Sequence, residues 1–93
     1  IKIQPGIILS NEPDYYKKNH FGIRIENLVF VKKDNNKIFF KNLTLAPIEK
    51  DLINFNLLND NEKTYLFNYH LDIYSKLFEY LNKSERKWLA SLI

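Results

Sequence analysis

The spacing of hydrophobic and polar positions changes near the middle of the chain. Residues 21–31 follow the two-residue period of a β-strand, in which neighbouring side chains point to opposite faces. Residues 66–81 carry apolar side chains mostly three or four positions apart, which is the period of an amphipathic helix. We therefore predict strands and turns over residues 1–48 and mainly helix over residues 49–93, an α+β chain.

The first half predicts antiparallel strands joined by short turns. The apolar run within residues 7–12 indicates a strand buried on both faces, which ends before a proline that lacks the N–H of a ladder. Residues 15–20 are predicted to form a polar loop before a second strand at residues 21–31. This loop is short enough to make the two strands antiparallel neighbours. Residues 34–36 predict a hairpin turn, with a short return strand at residues 38–40.

The second half carries the start signals of two helices. Residues 43–53 are predicted to be extended, because Pro47 excludes a helix interior. Asn59 is a candidate N-cap, and Glu62 three residues later completes the pattern of a capping box. Ser84 is predicted to cap a second, shorter helix. The apolar stripes comprise Leu66, Tyr69, His70, Ile73, Tyr74, Leu77 and Leu81 in the first helix, and Trp88, Leu89 and Leu92 in the second.

Cysteine and methionine are both absent from the sequence, which bears on the chemistry and the origin of the chain. Without cysteine there are no disulfides, zinc–thiolate sites or thiol nucleophiles. Without an initiator methionine, we expect a processed product or a fragment of a longer protein. No apolar run approaches the roughly 18 residues of a membrane span, and no signal-peptide pattern opens the chain. We therefore expect a cytoplasmic location and no membrane partner.

The charge distribution argues against a nucleic-acid partner. The net charge is +3, and hydrophobic residues make up 45% of the chain, which is enough for a packed core. The basic residues are scattered along the chain, whereas a nucleic-acid binder normally concentrates them on one face. Solvated surface lysines are therefore the favoured interpretation.

Two glutamates and an arginine are the candidates for chemistry in the strand half. The predicted period places Arg24 and Glu26 on one face of a strand, and that face continues into residues that should be buried, Leu28 and Phe30. A carboxylate on a half-buried strand must be paired, protonated or bound to a metal. One interpretation is a local Arg24–Glu26 ion pair at the sheet surface. In the other, Glu12 at the end of the neighbouring strand converges with Glu26 on one cation, such as Mn²⁺, Mg²⁺ or Ca²⁺.

The two histidines carry weaker signals. His70 lies within the apolar stripe of the long helix, so we predict a hydrogen-bonded histidine in a core or an interface. His20 lies in a loop with no evident partner. The sequence contains no glycine-rich phosphate loop, no nucleophile elbow and no His-Glu-x-x-His helix. The chain by itself therefore lacks a complete active site.

Two segments of the first half are motifs rather than generic strands and turns: Ser10-Asn11-Glu12-Pro13-Asp14-Tyr15-Tyr16 and Phe21-Gly22-Ile23-Arg24-Ile25-Glu26-Asn27-Leu28-Val29. They resemble the last catalytic segment of the Xaa-Pro aminopeptidases (aminopeptidase P), metallopeptidases of the pita-bread (creatinase/aminopeptidase) fold. That family carries a similar Ser-Asn-Glu-Pro-Gly-Tyr-Tyr turn and a Gly-Ile-Arg-Ile-Glu-Asn strand. Asp14 stands where the family usually has glycine, and aspartate is among the better substitutes if the turn needs a positive φ.

The second half is similar to the same family. Residues 43–48 and 51–53 resemble the segment that leaves its catalytic core. The residues that resemble its C-terminal helices are Leu57-Leu58, Glu62, Leu66, Asn68-Tyr69-His70 and Trp88-Leu89. The resemblance implies the C-terminal portion of a pita-bread fold. In this interpretation residues 1–48 are the last strands of the catalytic core and residues 49–93 are a helical extension, together one incomplete domain.

The resemblance also implies a site and an activity. Glu12 and Glu26 would each supply a ligand to two divalent metal ions, usually Mn²⁺, which activate water for peptide hydrolysis. Glu26 would bridge the ions, and Arg24 would orient a carboxylate through a charge-assisted bond. The other ligands, two aspartates and a histidine, would lie in an N-terminal remainder. The enzyme, a homodimer, would remove the first residue from peptides with proline second, and this chain alone would be inactive.

A second class of function is a non-catalytic protein-interaction module, because pita-bread relatives without metal ligands serve as binding proteins. The presence of both glutamates argues against it. In either case, strands that lack neighbours from an N-terminal part would expose their edges and apolar faces. We therefore expect the isolated chain to oligomerise or to swap strands.

Overall fold

A computed structural model describes residues 2–93, in which five strands precede two α-helices. The strands are β1 (Ile8–Asn11), β2 (Asp14–Lys17), β3 (Phe21–Arg24), β4 (Asn27–Asp34) and β5 (Lys37–Asn42). The helices are α1 (Asp60–Leu77) and α2 (Lys83–Ser91), and short 3₁₀ turns occupy Lys50–Leu52, Phe55–Leu57 and Phe78–Tyr80. The first of these turns interrupts the segment predicted to be extended over residues 43–53. The order of strands followed by two helices agrees with the predicted α+β class.

The chain consists of two compact units, Ile1–Leu45 and Ala46–Ile93. We call the first the strand unit, because it contains β1 to β5, and the second the helical unit, because it contains α1 and α2. The interpretation of residues 1–48 as the last strands of a catalytic core, with residues 49–93 as an extension, stays a prediction.

The strands pair in two antiparallel sheets, one with the order β1-β4-β5 and the other formed by β2 and β3. The pairing of β1 with β4 confirms the predicted antiparallel neighbours. Two expectations are wrong: the strand predicted at residues 21–31 is divided between β3 and β4, and the loop predicted at residues 15–20 begins with part of β2. Tyr15 and Tyr16 account for the second difference. Aromatic residues favour a strand where a partner is available, and β3 supplies one.

The β4–β5 hairpin forms the predicted turn. Asn35 and Asn36 have φ values of 48° and 67°, which are left-handed conformations. A two-residue hairpin turn of type I′ requires positive φ at both central positions, and asparagine tolerates it better than most residues. The return strand β5, Lys37–Asn42, is longer than the predicted 38–40 because its pairing with β4 extends to Val29 opposite Asn42.

The strand unit has a small core and many exposed apolar side chains. Val31 is fully buried and Val29 is 7% exposed, so their side of β4 is the core face. The other face was expected to be buried through Leu28 and Phe30, but Leu28 is 47% exposed and Phe30 is half-buried. Ile8, which lies opposite Phe30 on β1, is 58% exposed, so β1 is not buried on both faces. Within the strand unit, little covers this side of the sheet.

Asparagines begin both helices. Asn59 Oδ1 accepts the Glu62 N–H at 2.8 Å and Glu62 Oε1 accepts the Asn59 N–H at 3.0 Å, which confirms the predicted capping box. The second helix is capped by Asn82, whose Oδ1 accepts the Glu85 N–H at 2.9 Å. The prediction of Ser84 as the cap is therefore wrong, since Ser84 lies in the first turn of α2. Both residue types are favourable caps, and Asn82 has the extended backbone that the position requires.

The apolar stripe of α1 supplies most of the buried residues of the helical unit. Tyr69, His70 and Ile73 on α1 and Leu89 on α2 are buried, and Ile73 is fully enclosed. Leu81, the last member of the predicted stripe, lies outside α1. The helix ends at Leu77, and the 3₁₀ turn Phe78–Tyr80 separates it from Leu81. Within residues 2–93 no helix is both long enough and apolar enough to span a bilayer.

Candidate metal centre

The two candidate glutamates occupy matching breaks in the strand pairing. Glu12 and Pro13 lie between β1 and β2, and Ile25 and Glu26 lie between β3 and β4. Each break is two residues long. The strands that flank the first break are β1 and β2, and they pair with β4 and β3, which flank the second break. Where a single pair of long strands was expected, the chain therefore forms two short ladders separated by a common interruption.

The register is the same on both sides of this interruption. Asn11 lies opposite Asn27 at the end of one ladder, and Asp14 lies opposite Arg24 at the start of the other. Counting inward from either ladder places residue 12 opposite residue 26 and residue 13 opposite residue 25. The structure thus brings the two predicted metal ligands to directly opposite positions.

One main-chain hydrogen bond holds the strands together at the interruption. The Ile25 N–H donates to the Pro13 carbonyl oxygen at 3.1 Å. Opposite residues of antiparallel strands have Cα atoms about 4.5–5.5 Å apart, so this bond keeps Glu12 and Glu26 on closely spaced segments. Two carboxylates on such neighbouring segments repel unless a cation or a proton lies between them.

Arg24 contacts Glu26 directly. Its Nε lies 3.3 Å from Glu26 Oε2, and the two side chains are 51% and 44% exposed. Both interpretations of Arg24 require this ion pair, because an arginine that orients the carboxylate must also touch it. An exposed pair of this kind contributes only about 0–1 kcal/mol to stability.

The donor atoms fit part of a divalent-metal site. Carboxylate oxygens are hard ligands that suit Mn²⁺ and Mg²⁺. Across residues 2–93, however, no group of three or more His, Cys, Asp or Glu side chains is close enough to hold a metal ion. Two glutamates supply only some of the ligands that a dinuclear centre needs.

Neither histidine joins the glutamates in this arrangement. His20 is the last residue of the turn after β2, where its N–H donates to the Lys17 carbonyl oxygen at 3.0 Å. His70 belongs to the helical unit, where its Nε2 accepts the Ile48 N–H at 3.1 Å, and it is 8% exposed. Burial lowers the pKa of His70, which favours the neutral ring that can accept this bond. The prediction of a buried, hydrogen-bonded histidine is confirmed.

Two further residues near the site are Asp14 and Thr44. Asp14 lies in β2, and it is not among the non-glycine residues of the described chain with positive φ, which are Asn19, Asn35 and Asn36. Thr44 was not singled out, yet its hydroxyl oxygen accepts the Leu28 N–H at 2.8 Å, two residues beyond Glu26. Its only sequence signal is a hydroxyl residue just after a strand.

A known family accounts for most of the chain. Residues 37–92 match the family described as the C-terminal region of peptidase_M24, and the chain belongs to this family. Relatives extend the similarity to the strand unit. An uncharacterized peptidase of Schizosaccharomyces pombe is 40% identical over an alignment of 96 positions, gaps included, which covers 95% of this chain. A probable Xaa-Pro aminopeptidase P of Sclerotinia sclerotiorum is 38% identical over an alignment of 99 positions, which covers 96% of this chain.

A solved structure agrees with both units. The X-prolyl aminopeptidase of Caenorhabditis elegans, described as a cytosolic enzyme with a di-nuclear active site, matches with a TM-score of 0.85 and 31% identity over 97% of this chain. The predicted resemblance and fold class are confirmed by these matches. The chain spans about 16% of the length of each of these three relatives.

Proposed function

We propose that this chain is the C-terminal part of a dinuclear-metal Xaa-Pro aminopeptidase, which removes the N-terminal residue from peptides with proline second. The observation that carries the proposal is the register that sets Glu12 opposite Glu26. Two features support it further: relatives that match nearly the whole chain are named Xaa-Pro aminopeptidases, and the Caenorhabditis elegans enzyme has a di-nuclear site.

In this proposal each of the three site residues has a distinct task. Glu12 and Glu26 would hold the metal ions from opposite segments, and Glu26 would be the ligand that both ions share. Arg24 keeps the Glu26 carboxylate in a fixed direction through the contact between Nε and Oε2. When bound, two divalent ions lower the pKa of water and stabilise the charge that develops on the scissile carbonyl.

The proposal extends to the metal and to the partners of the chain. Mn²⁺ is the proposed native ion, because the family that the chain resembles usually uses it, and carboxylate ligands are compatible with it. An N-terminal remainder supplies the missing ligands, two aspartates and a histidine, and the binding site for the peptide. The complete enzyme is proposed to be a cytoplasmic homodimer, in which the helical unit supports the dimer contacts.

The test measures both metal content and peptidase activity in the complete protein. We expect Glu12→Ala and Glu26→Ala each to lower the Mn²⁺ content and to reduce turnover of a Xaa-Pro peptide by at least about a hundredfold, since ligand loss weakens binding and water activation together. Glu79→Ala removes an exposed glutamate of the helical unit and serves as the matched control. Unchanged activity in both site variants would refute the catalytic interpretation and favour an interaction module.

The isolated chain offers a second test. With two ligands and no three-residue cluster among residues 2–93, it should bind Mn²⁺ weakly and hydrolyse no Xaa-Pro peptide. Sustained turnover by the 93-residue chain with added Mn²⁺ would show that the missing ligands are not required.

A further inference from the structure

Leu28 makes an irregular pair at the end of the β4–β5 ladder. The last regular pair is Val29 opposite Asn42, and the next position sets Leu28 opposite Leu43. The Leu43 N–H donates to the Leu28 carbonyl oxygen at 2.8 Å, as in a regular ladder. The Leu28 N–H donates to the Thr44 hydroxyl oxygen at 2.8 Å.

The Thr44 hydroxyl therefore takes the place of a main-chain acceptor. In a regular hydrogen-bonded pair the two opposite residues exchange both N–H···O bonds, so the Leu43 carbonyl would accept the Leu28 N–H. Here β5 has ended at Asn42, and a side chain from the following segment accepts that bond. The hydroxyl extends the ladder by one step on the side of Glu26.

Glu26 depends on bonds made by its neighbours, because it belongs to neither ladder. On one side, the Ile25 N–H donates to the Pro13 carbonyl oxygen at 3.1 Å. On the other side, Leu28 bonds to Leu43 and to Thr44, in the segment that follows β5. The main chain on either side of Glu26 is thus hydrogen-bonded to a neighbouring segment, at Pro13 on one side and at Leu43 and Thr44 on the other.

We propose that Thr44 is a positioning residue for Glu26, which acts by fixing the main chain at Leu28. This inference rests on the proposed role of Glu26 as a metal ligand. Metal–ligand distances tolerate deviations of only about 0.2 Å, so a small movement of the main chain near the ligand changes the affinity for metal. Groups that orient a ligand typically change metal affinity or activity about 10- to 100-fold when they are removed.

The experiment compares three substitutions in the complete peptidase. Thr44→Val has nearly the same shape as threonine but no acceptor, Thr44→Ser keeps the hydroxyl, and Thr64→Val makes the same chemical change at an exposed position of α1. The readouts are the Mn²⁺ dissociation constant of the metal-free protein, measured by calorimetric titration, and the Mn²⁺ concentration that gives half-maximal activity.

We expect Thr44→Val to raise both Mn²⁺ values about 10- to 100-fold, whereas kcat at saturating Mn²⁺ recovers substantially. Thr44→Ser and Thr64→Val should retain the original values. Thr44→Ala also removes the acceptor, but it places no methyl group against the Leu28 N–H. We expect it to give the same Mn²⁺ values as Thr44→Val, and it replaces Thr44→Val if that variant fails to fold. Original affinity in both acceptor-free variants would overturn the inference, as would equal weakening in Thr44→Ser.

A double variant separates this inference from the proposed function. If Thr44 acts through Glu26, then Thr44→Val should weaken Mn²⁺ binding no further in a Glu26→Ala background. Additive losses would show that Thr44 acts elsewhere. If Glu26→Ala itself leaves Mn²⁺ binding intact, the proposed ligand role fails. If only the Thr44 variants leave it intact, the ligand role stands and the positioning role fails.

Discussion

The strand unit and the helical unit are ordered in different ways. The helical unit contains side-chain bonds that connect distant residues: the Tyr69 hydroxyl donates to the Ala46 carbonyl oxygen at 2.7 Å, and His70 accepts from Ile48. Arg86 closes its α1–α2 junction by donating from Nε to the Phe78 carbonyl oxygen and lying 3.6 Å above the Phe78 ring. The strand unit is ordered mainly by main-chain ladders. Large apolar side chains are exposed in both units, on β1, β2, β3 and β5 of the strand unit and at Phe67, Tyr80 and Trp88 of the helical unit.

This difference teaches that the segment with the chemical candidates is held together mainly by main-chain bonds between strands. Glu12, Arg24 and Glu26 lie in the unit whose sheet has one largely uncovered side. Apolar strand faces are stable when a second layer covers them. The proposed N-terminal remainder would supply both that layer and the missing metal ligands, so completion of the fold and completion of the site would be the same event.

The largest expected effect concerns the association of the isolated chain. Because β1, β2, β3 and β5 expose apolar side chains, we expect the 93-residue chain to form dimers or larger species. Light scattering coupled to size exclusion measures the mass. A monodisperse monomer of 11.2 kDa at micromolar concentrations would contradict the contrast between the two units.

The next effect compares one isoleucine from each unit. Ile73→Ala opens a cavity at a fully buried position of α1 and should lower the free energy of unfolding by about 2–5 kcal/mol. Ile8→Ala, at an exposed position of β1, should change it by less than about 0.5 kcal/mol in the monomeric state. Urea unfolding followed by circular dichroism measures both. Equal losses would mean that the exposed side of the sheet is already packed.

A smaller effect is expected at the start of α1. Asn59→Ala removes the side-chain acceptor of the capping box and should cost about 0.5–2 kcal/mol. Asn68→Ala, in the exposed interior of the same helix, is the control and should be neutral or slightly stabilising, because alanine has the higher helix propensity. The two variants are compared by thermal unfolding, and an equal response would argue that the capping bonds contribute nothing.

The smallest effect is the pH dependence that His70 confers on the helical unit. Burial lowers the pKa of His70 in the folded state, so the unfolded chain takes up the proton at higher pH than the folded chain. The stability from neutral His70 is complete above about pH 6.5, the ordinary value, and is lost as pH falls through the lower folded value. We expect the free energy of unfolding to decrease below pH 6.5, and this slope should be smaller in His70→Gln. If the free energy of unfolding depends on pH equally in both proteins, His70 does not contribute to that dependence.

The local features of both units could be predicted because their determinants lie within a few residues. The Asn59–Glu62 box spans one helical turn, and the Asn35–Asn36 turn needs only two residues that tolerate positive φ. The resemblance of residues 10–29 to the Xaa-Pro aminopeptidases likewise pointed to Glu12 and Glu26. The N-cap of α2 was missed because two favourable caps, Asn82 and Ser84, lie within one turn.

By itself the sequence determined the period of each half, the turn, the first cap and the family, and it singled out the two candidate carboxylates, since each is a local pattern or a motif. Only the tertiary structure divided residues 21–31 into two strands and set residue 12 opposite residue 26. It also decided that the Leu28 side of the sheet is exposed and that the Leu28 N–H donates to the Thr44 hydroxyl. These outcomes depend on which distant segment pairs with which. Strand register and burial are properties of the partner as much as of the strand, because one ladder bond joins residues that the sequence separates.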